Sequence, residues 1–110
     1  MSQGVNMKLP KKVLIEGIEW MIVRKWRIVS EGTECDGLCV HDKHEIWVLH
    51  GLEEAEAFRI FIHEYLHAIL YEKGIYLTGL SDEAEEMIVH GISKELCQSF
   101  NLKMKTQREK

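Results

Sequence analysis

The chain has 110 residues and a net charge of −4, which suits one domain, leaves too little for two, and argues against a general nucleic-acid binder. No apolar run reaches the roughly 18 residues of a membrane span, and the first residues lack the apolar core and cleavage site of a secretory signal. Three cysteines, an odd number, do not suggest a disulfide framework, so we expect a cytoplasmic protein.

The first half of the chain has the patterns of β-hairpins. The segment KVLIEGIEWMIVRKWRIV predicts two strands around a turn near Glu16 and Gly17, because apolar and polar residues alternate there. SEGTECDG predicts a loop from its glycines and acidic residues. LCVHDKHEIWVLH then predicts a second hairpin with its turn near Asp42 and Lys43, and Glu45 to Leu49 form its return strand. We expect Trp20, Trp26 and Trp47 to pack in the core and the sheet.

The second half has the patterns of two helices. EEAEAFRIFIHEYLHAILYEKG predicts a helix of about 20 residues with acidic residues in its first turns and Gly74 as its stop. Ser81 is a predicted N-cap for a second helix that runs to about Asn101. The predicted apolar stripe of this helix consists of Ile88, Val89, Ile92, Leu96 and Phe100.

The predicted fold class is therefore α+β, with a small antiparallel sheet of two hairpins followed by two helices. Residues 1–110 form one domain in this interpretation, with flexible ends at 1–11 and 102–110.

The first helix carries a pattern that is typical of metal binding. His63 and His67 are four residues apart, so on a helix they project from the same face, and Glu64 lies between them. This is the H-E-x-x-H arrangement of zinc peptidases, in which two histidines bind the metal and the glutamate is the general base. The apolar surroundings suit such a site, because exclusion of water strengthens the effect of a metal's charge. The alternative is a pair of histidines that are hydrogen-bonded in the core.

A third ligand is expected from the second helix, where Asp82, Glu83, Glu85 and Glu86 are the candidates. Helical periodicity places Glu85 nearest the middle of the apolar stripe. Spacing favours Glu86 instead. It follows the H-E-x-x-H motif after eighteen intervening residues, and this spacing resembles the gluzincin pattern. The metzincin pattern does not fit, since it requires a glycine where Leu70 stands and a histidine where Lys73 stands.

Four segments together resemble a known family. They are IEGIEWMIV (15–23), EIWVL (45–49), HEYLHAI (63–69) and EMIVHGISKEL (86–96). In this order, over about residues 12–101, they are similar to the short prophage-encoded zincin-type metallopeptidases, which are related in style to the ImmA/IrrE-like peptidases. The resemblance implies a metallopeptidase in which His63, His67 and Glu86 bind Zn²⁺, and it favours Glu86 over Glu85 as the third ligand.

The predicted function is zinc-dependent hydrolysis of a peptide bond, with Glu64 as the general base for a metal-activated water. The expected partner is a peptide or protein substrate, with no nucleic acid and no membrane, and the oligomeric state is left open. Strand Glu45 to Leu49 is expected to be an exposed edge that pairs with an extended substrate. The alternatives are a non-catalytic, zinc-stabilised interaction module of a phage or prophage, and a pair of helices that form a dimer interface around core histidines.

Other polar residues near these segments are weaker candidates. Cys35, Cys39, His41 and His44 lie within ten residues of one another and are possible ligands of a second metal, although a hairpin directs such side chains to different faces. His90 follows Glu86 by one helical turn and is a candidate partner for it. Tyr65, Tyr71 and Tyr76 are candidates to donate a hydrogen bond to a tetrahedral intermediate.

Overall fold

The structure, a computed structural model, describes residues 8–109, with side chains as far as residue 99. Strands precede helices in the chain, which confirms the predicted α+β class. Residues 1–7 and 110 of the predicted flexible ends lie outside the described residues, and the flexibility of both ends stays a prediction. The elements are β1 (Lys12–Ile15), β2 (Ile18–Lys25), β3 (Val29–Ser30), β4 (Thr33–Glu34), β5 (Gly37–Val40), β6 (Glu45–Leu49), α1 (Glu54–Glu72) and α2 (Asp82–Glu109).

The main sheet has the strand order β1-β2-β6-β5. Each predicted hairpin is antiparallel, and the two hairpins meet through parallel pairing of β2 with β6, with Met21 opposite Glu45. The predicted role of β6 as an exposed edge is therefore wrong, because β6 has a strand on each side. Local alternation reports which face of a strand is buried and carries no information on which strands flank it. The outer strand of this hairpin is β5, and β3 and β4 pair in a separate small hairpin.

Helix α1 covers one face of the sheet and forms the core with it. Trp20, Ile46 and Val48 contribute fully buried side chains from the sheet, and Phe61 and Ala68 contribute buried side chains from the helix. In β6 the buried residues alternate with half-buried ones, as period-two side-chain direction requires.

Helix α1 lies close to the outer strand β5 at Gly37. A Cβ atom at this position would lie 2.3 Å from Cγ2 of Ile60 and 3.2 Å from Cγ of Glu64. No side chain fits in that space without displacing α1 or β5. Gly37 therefore sets the distance between the sheet edge and the segment of α1 that carries the H-E-x-x-H pattern.

The C-terminal end of α1 is held against the two hairpins. Nε1 of Trp20 donates a hydrogen bond of 2.7 Å to the carboxylate of Glu72, and Nε2 of His44 lies 3.4 Å from the same carboxylate. Lys73 forms an ion pair with Glu16 in the first hairpin turn. Gly74 follows with φ of +75°, the left-handed conformation that ends many helices.

Helix α2 begins as the sequence predicts, and the backbone N–H of Ala84 donates to Oγ of Ser81 at 3.1 Å. Among its described side chains the buried ones are Val89, Ser93 and Cys97, which are spaced by four residues and so lie on one face. The helix continues to Glu109, past its predicted end near Asn101.

The predicted apolar stripe of α2 is wrong as a description of the buried face of this helix. Val89 is buried, whereas three other members are 41–47% exposed and so lie on the flank of the helix. Helix α2 directs the acidic residues of its first turns towards the histidines of α1. The predicted stripe therefore faces partly away from α1. The three exposed members are Ile88, Ile92 and Leu96, and the side chain of Phe100 lies outside the described residues.

The three tryptophans have different environments. Trp20 is fully buried in the core, as expected. Trp47 is half-buried on the sheet, where Nε1 donates to Glu45 and the ammonium of Lys25 lies 4.3 Å from the ring centroid. Trp26 is 80% exposed and stacks on the ring of His50 at 3.8 Å. The prediction of core or sheet packing is wrong for Trp26, because β2 ends at Lys25 and the chain leaves the sheet there.

Among the residues that the structure describes, neither helix combines the length and the apolar character that crossing a bilayer requires.

Candidate metal centre

Three predicted ligands meet where α1 faces the first turns of α2. His63 and His67 lie one turn apart on α1, with ring centroids 5.1 Å apart. The carboxylate of Glu86 lies between them, with Oε2 at 3.2 Å from Nε2 of His63 and Oε1 at 2.7 Å from Nε2 of His67. One donor atom from each residue lies within 4.8 Å of the others, so the group could hold a metal ion.

The acid beside Glu86 has a different position. Oε2 of Glu85 accepts a hydrogen bond of 2.7 Å from Nδ1 of His67, on the side of the ring that faces away from Glu86. Glu85 thus orients the imidazole, and in the tautomer with its proton on Nδ1 the Nε2 atom can act as a ligand. The sequence alone left open whether Glu85 or Glu86 is nearer the histidine pair; in the structure Glu86 contacts both histidines and Glu85 contacts one.

Glu64 lies next to this cluster on the side of β5. Its side chain is half-buried and occupies the space that Gly37 leaves open between α1 and the outer strand. Burial raises the pKa of Glu64 to about 7, since desolvation disfavours the carboxylate, while the nearby His67 lowers this pKa and Glu86 raises it. A carboxyl group with a pKa near neutrality can both accept and return a proton.

Burial also affects the histidines around the site. The pKa of His63 is lowered by desolvation, which outweighs the attraction of Glu86. The pKa of His41 is lowered in the same way, mainly by desolvation. Both shifts favour neutral imidazole, the form that binds metals and packs against aromatic rings.

A cavity of about 340 Å³ opens beside the cluster, towards the C-terminal end of α1. Its wall includes Tyr71, whose ring stacks on His41 at 4.3 Å and on Tyr76 at 5.3 Å. Of the three tyrosines considered from the sequence, two line this cavity, and Tyr65 stacks on Phe61 next to the core instead. The full lining is His41, His67, Tyr71, Tyr76, Asp82, Glu85 and Glu86.

The sequence did not predict His41 as part of this cavity. It lies in the turn between β5 and β6, 26 positions before His67 in the sequence. Only the antiparallel pairing of these strands brings that turn to the end of α1. The position of Tyr71, one helical turn after His67, was a usable signal, because residues at this spacing share a helix face.

The four residues considered for a second metal have separate neighbours. Cys35 lies near the carbonyl of Ile28, and Cys39 packs against the core, where burial raises its pKa to about 12. The rings of the two histidines contact aromatic rings, His41 that of Tyr71 and His44 that of Trp20. Within the described part of the chain, the only donor group that meets the distance requirement for one metal is that of His63, His67 and Glu86.

The remaining candidates of α2 lie around the cluster. His90 is exposed, and the side-chain contacts of Glu86 are with the two histidines of α1. Asp82 and Glu83 are both exposed at the first turn of α2, but Asp82 lines the cavity and Glu83 does not.

Neither a protein-family model nor a curated protein nor a solved structure matches this chain.

Proposed function

We propose that this protein is a zinc-dependent peptide hydrolase in which His63, His67 and Glu86 hold the metal. The observation that carries the proposal is the meeting of these three donors beside Glu64. The resemblance to short prophage-encoded zincin-type metallopeptidases supports the same assignment, and it places the third ligand at the residue whose carboxylate contacts both histidines.

The donor set suits zinc in a catalytic role. Two imidazoles and one carboxylate, with a fourth position left for water or substrate, are a common set of ligands at catalytic zinc. Ligand atoms about 2.1 Å from a tetrahedral ion lie about 3.4 Å from one another. The contacts of 2.7 and 3.2 Å between the histidines and Glu86 are close to this separation. Small side-chain movements therefore convert the hydrogen-bonded cluster into a ligand set.

Bound zinc would act as a Lewis acid that lowers the pKa of water and polarises a peptide carbonyl. Glu64 supplies the proton transfer in this proposal: its carboxylate accepts a proton from the attacking water and later delivers it to the leaving amine. The placement of Glu64 between α1 and β5 suits this role. Its carboxylate has no hydrogen bond to His63 or His67, so it can contact the attacking water and the substrate. Glu85 holds His67 in the ligating tautomer.

The outer strand β5 replaces β6 as the strand on which a substrate would lie. It forms one edge of the main sheet, and Gly37, at its start, is adjacent to Glu64. An extended peptide that paired with β5 would be bound through its backbone, which directs the scissile bond to the cluster with little demand on sequence.

The direct test is cleavage by the zinc-loaded protein of a mixed peptide library, read by mass spectrometry. We expect cleavage that stops when a chelator removes the metal and returns when zinc is restored. Zinc binding without any cleavage would favour the interaction module. Absence of zinc from protein purified in zinc-containing buffer would favour core histidines and overturn the proposal.

A further inference from the structure

The cavity beside the metal cluster has features that the hydrolytic mechanism does not use. Its volume of about 340 Å³ is large enough for one long side chain. It shares His67, Glu85 and Glu86 with the metal centre and extends from there along α1 past Tyr71. A side chain of a peptide whose scissile bond lay at the cluster would enter this cavity from its inner end.

One wall of the cavity is a stack of three rings. His41 and Tyr71 are nearly parallel, with an interplanar angle of 8°, and Tyr71 and Tyr76 are inclined by 13°. Tyr76 is 55% exposed, so an aromatic surface remains accessible to a ligand. Such a surface packs against methylene groups and attracts a cation through the negative potential of its faces.

The lining of the cavity is also acidic. It includes Asp82, Glu85 and Glu86, and no lysine or arginine of the described residues belongs to it. Glu85 and Glu86 are engaged by histidines, whereas the side chain of Asp82 has no hydrogen bond or ion pair with another described residue. A carboxylate without a counter-charge, in the same cavity as a ring stack, attracts a long cationic side chain and repels an acidic one.

We propose that this cavity is the subsite for a basic residue, lysine or arginine, next to the scissile bond of the substrate. The stem of that residue packs on the stack of His41, Tyr71 and Tyr76, and its charged head reaches Asp82. The inference rests on the proposed function for its link to cleavage, but the cavity's preference for a cationic side chain can be measured without turnover.

The first experiment compares kcat/KM of the zinc-loaded protein on peptides that differ only at one position beside the cleaved bond, with arginine, leucine or glutamate there. We expect arginine to exceed leucine by roughly tenfold, as an exposed ion pair and a cation–π contact together allow, with glutamate the poorest. Asp82→Asn should reduce the ratio of arginine to leucine several-fold. Glu83→Gln removes the same charge from the adjacent exposed position outside the cavity and should keep the ratio.

The second experiment measures binding instead of cleavage. N-acetyl-arginine amide and N-acetyl-leucine amide are titrated into the zinc-loaded Glu64→Gln variant while the tyrosine ring resonances are followed by NMR. The arginine amide should shift the resonances of Tyr71 and Tyr76 at lower concentration than the leucine amide. Adding Asp82→Asn should remove that difference, and adding Glu83→Gln should not.

The outcomes separate the two proposals. Selective binding of the arginine amide without cleavage of any peptide would retain the cationic subsite and reject the hydrolase. Cleavage with equal rates for arginine and leucine peptides at every position would retain the hydrolase and overturn the subsite. Equal effects of Asp82→Asn and Glu83→Gln would also overturn it, because they would trace the preference to the general acidity of the α2 start.

Discussion

Nδ1 of His67 donates a 2.7 Å hydrogen bond to Glu85, while Nε2 of the same ring faces Glu86 at 2.7 Å. One imidazole thus separates two neighbouring glutamates of α2, and each has a distinct role. Glu86 contacts both histidines and is the metal ligand in our proposal. Glu85 positions His67 from outside the ligand set.

This difference predicts unequal losses of zinc affinity. Glu86→Ala should nearly abolish tight zinc binding, because two imidazoles alone are a weak site. Glu85→Ala should weaken zinc binding by roughly 10- to 100-fold, the usual effect of losing a partner that orients a histidine ligand. Competition with a chromogenic zinc chelator measures both. A larger loss of zinc affinity in Glu85→Ala than in Glu86→Ala would make Glu85 the ligand and Glu86 the residue that orients His67.

The histidines themselves give a second prediction. The purified protein should carry close to one zinc per chain, and His63→Ala or His67→Ala should each lose most of it. His90→Ala is the control, since His90 is exposed on α2 and makes no hydrogen bond to Glu86. Metal analysis by mass spectrometry reads all three variants. Near-full zinc in both ligand variants would contradict the proposed centre.

The sequence was sufficient to predict the parts of the site that depend on local spacing. The pair His63 and His67 follows from the helical period. Helical periodicity favoured Glu85 as the third candidate, and Glu86 was preferred only because its spacing and segment resemble those of the metallopeptidase family. The cavity was not predictable in this way, because His41 reaches it through strand pairing between residues distant in the chain.

The wrong predictions have related physical causes. The sequence correctly predicts a strand from Glu45 to Leu49, but it cannot show that β2 pairs with this strand on its other side. For α2, the spacing of apolar residues placed Ile88, Ile92 and Leu96 on the buried face beside Val89. The helix instead buries Val89 and Ser93, because the face that follows Glu85 and Glu86 is the one that packs on α1.

The close approach at Gly37 predicts a large effect of a single methyl group. Gly37→Ala should destabilise the fold by about 1–3 kcal/mol, because the new Cβ would overlap Cγ2 of Ile60 and force α1 away from β5. Gly91→Ala is the matched control. Nothing lies within 4 Å of its added Cβ, and alanine in a helix is favoured over glycine by about 1 kcal/mol. Urea unfolding should show that the two substitutions change the free energy of unfolding in opposite directions. Equal stabilities of the two variants would contradict the packing at Gly37.

Glu64 should make the stability of the metal-free protein depend on pH. Its pKa rises from 4.5 in the unfolded chain to about 7 in the fold. Folding therefore favours the protonated form, and stability decreases as pH rises from the lower value to the higher one. Glu64→Gln removes this decrease. In chelator, the variant should exceed the wild type by up to about 3 kcal/mol above neutral pH and match it at acidic pH.

Urea unfolding at a series of pH values measures that difference. Glu53→Gln, an exposed change at the start of α1, should follow the wild type at every pH. Added zinc should reduce the difference in stability between Glu64→Gln and the wild type, because a nearby cation favours the ionised carboxyl group. A gap that widens towards acidic pH would have the wrong sign for a buried carboxyl group.

In our proposal Glu64 transfers a proton while His63, His67 and Glu86 hold the metal. The most direct measurement is kcat/KM of zinc-loaded Glu64→Gln on a peptide that the wild type cleaves, with zinc content determined in the same samples. The amide keeps the size of the side chain but cannot accept a proton, so we expect unchanged zinc content and a rate lower by roughly 10²- to 10⁴-fold. Full zinc content with cleavage equal to that of the wild type would contradict the mechanism.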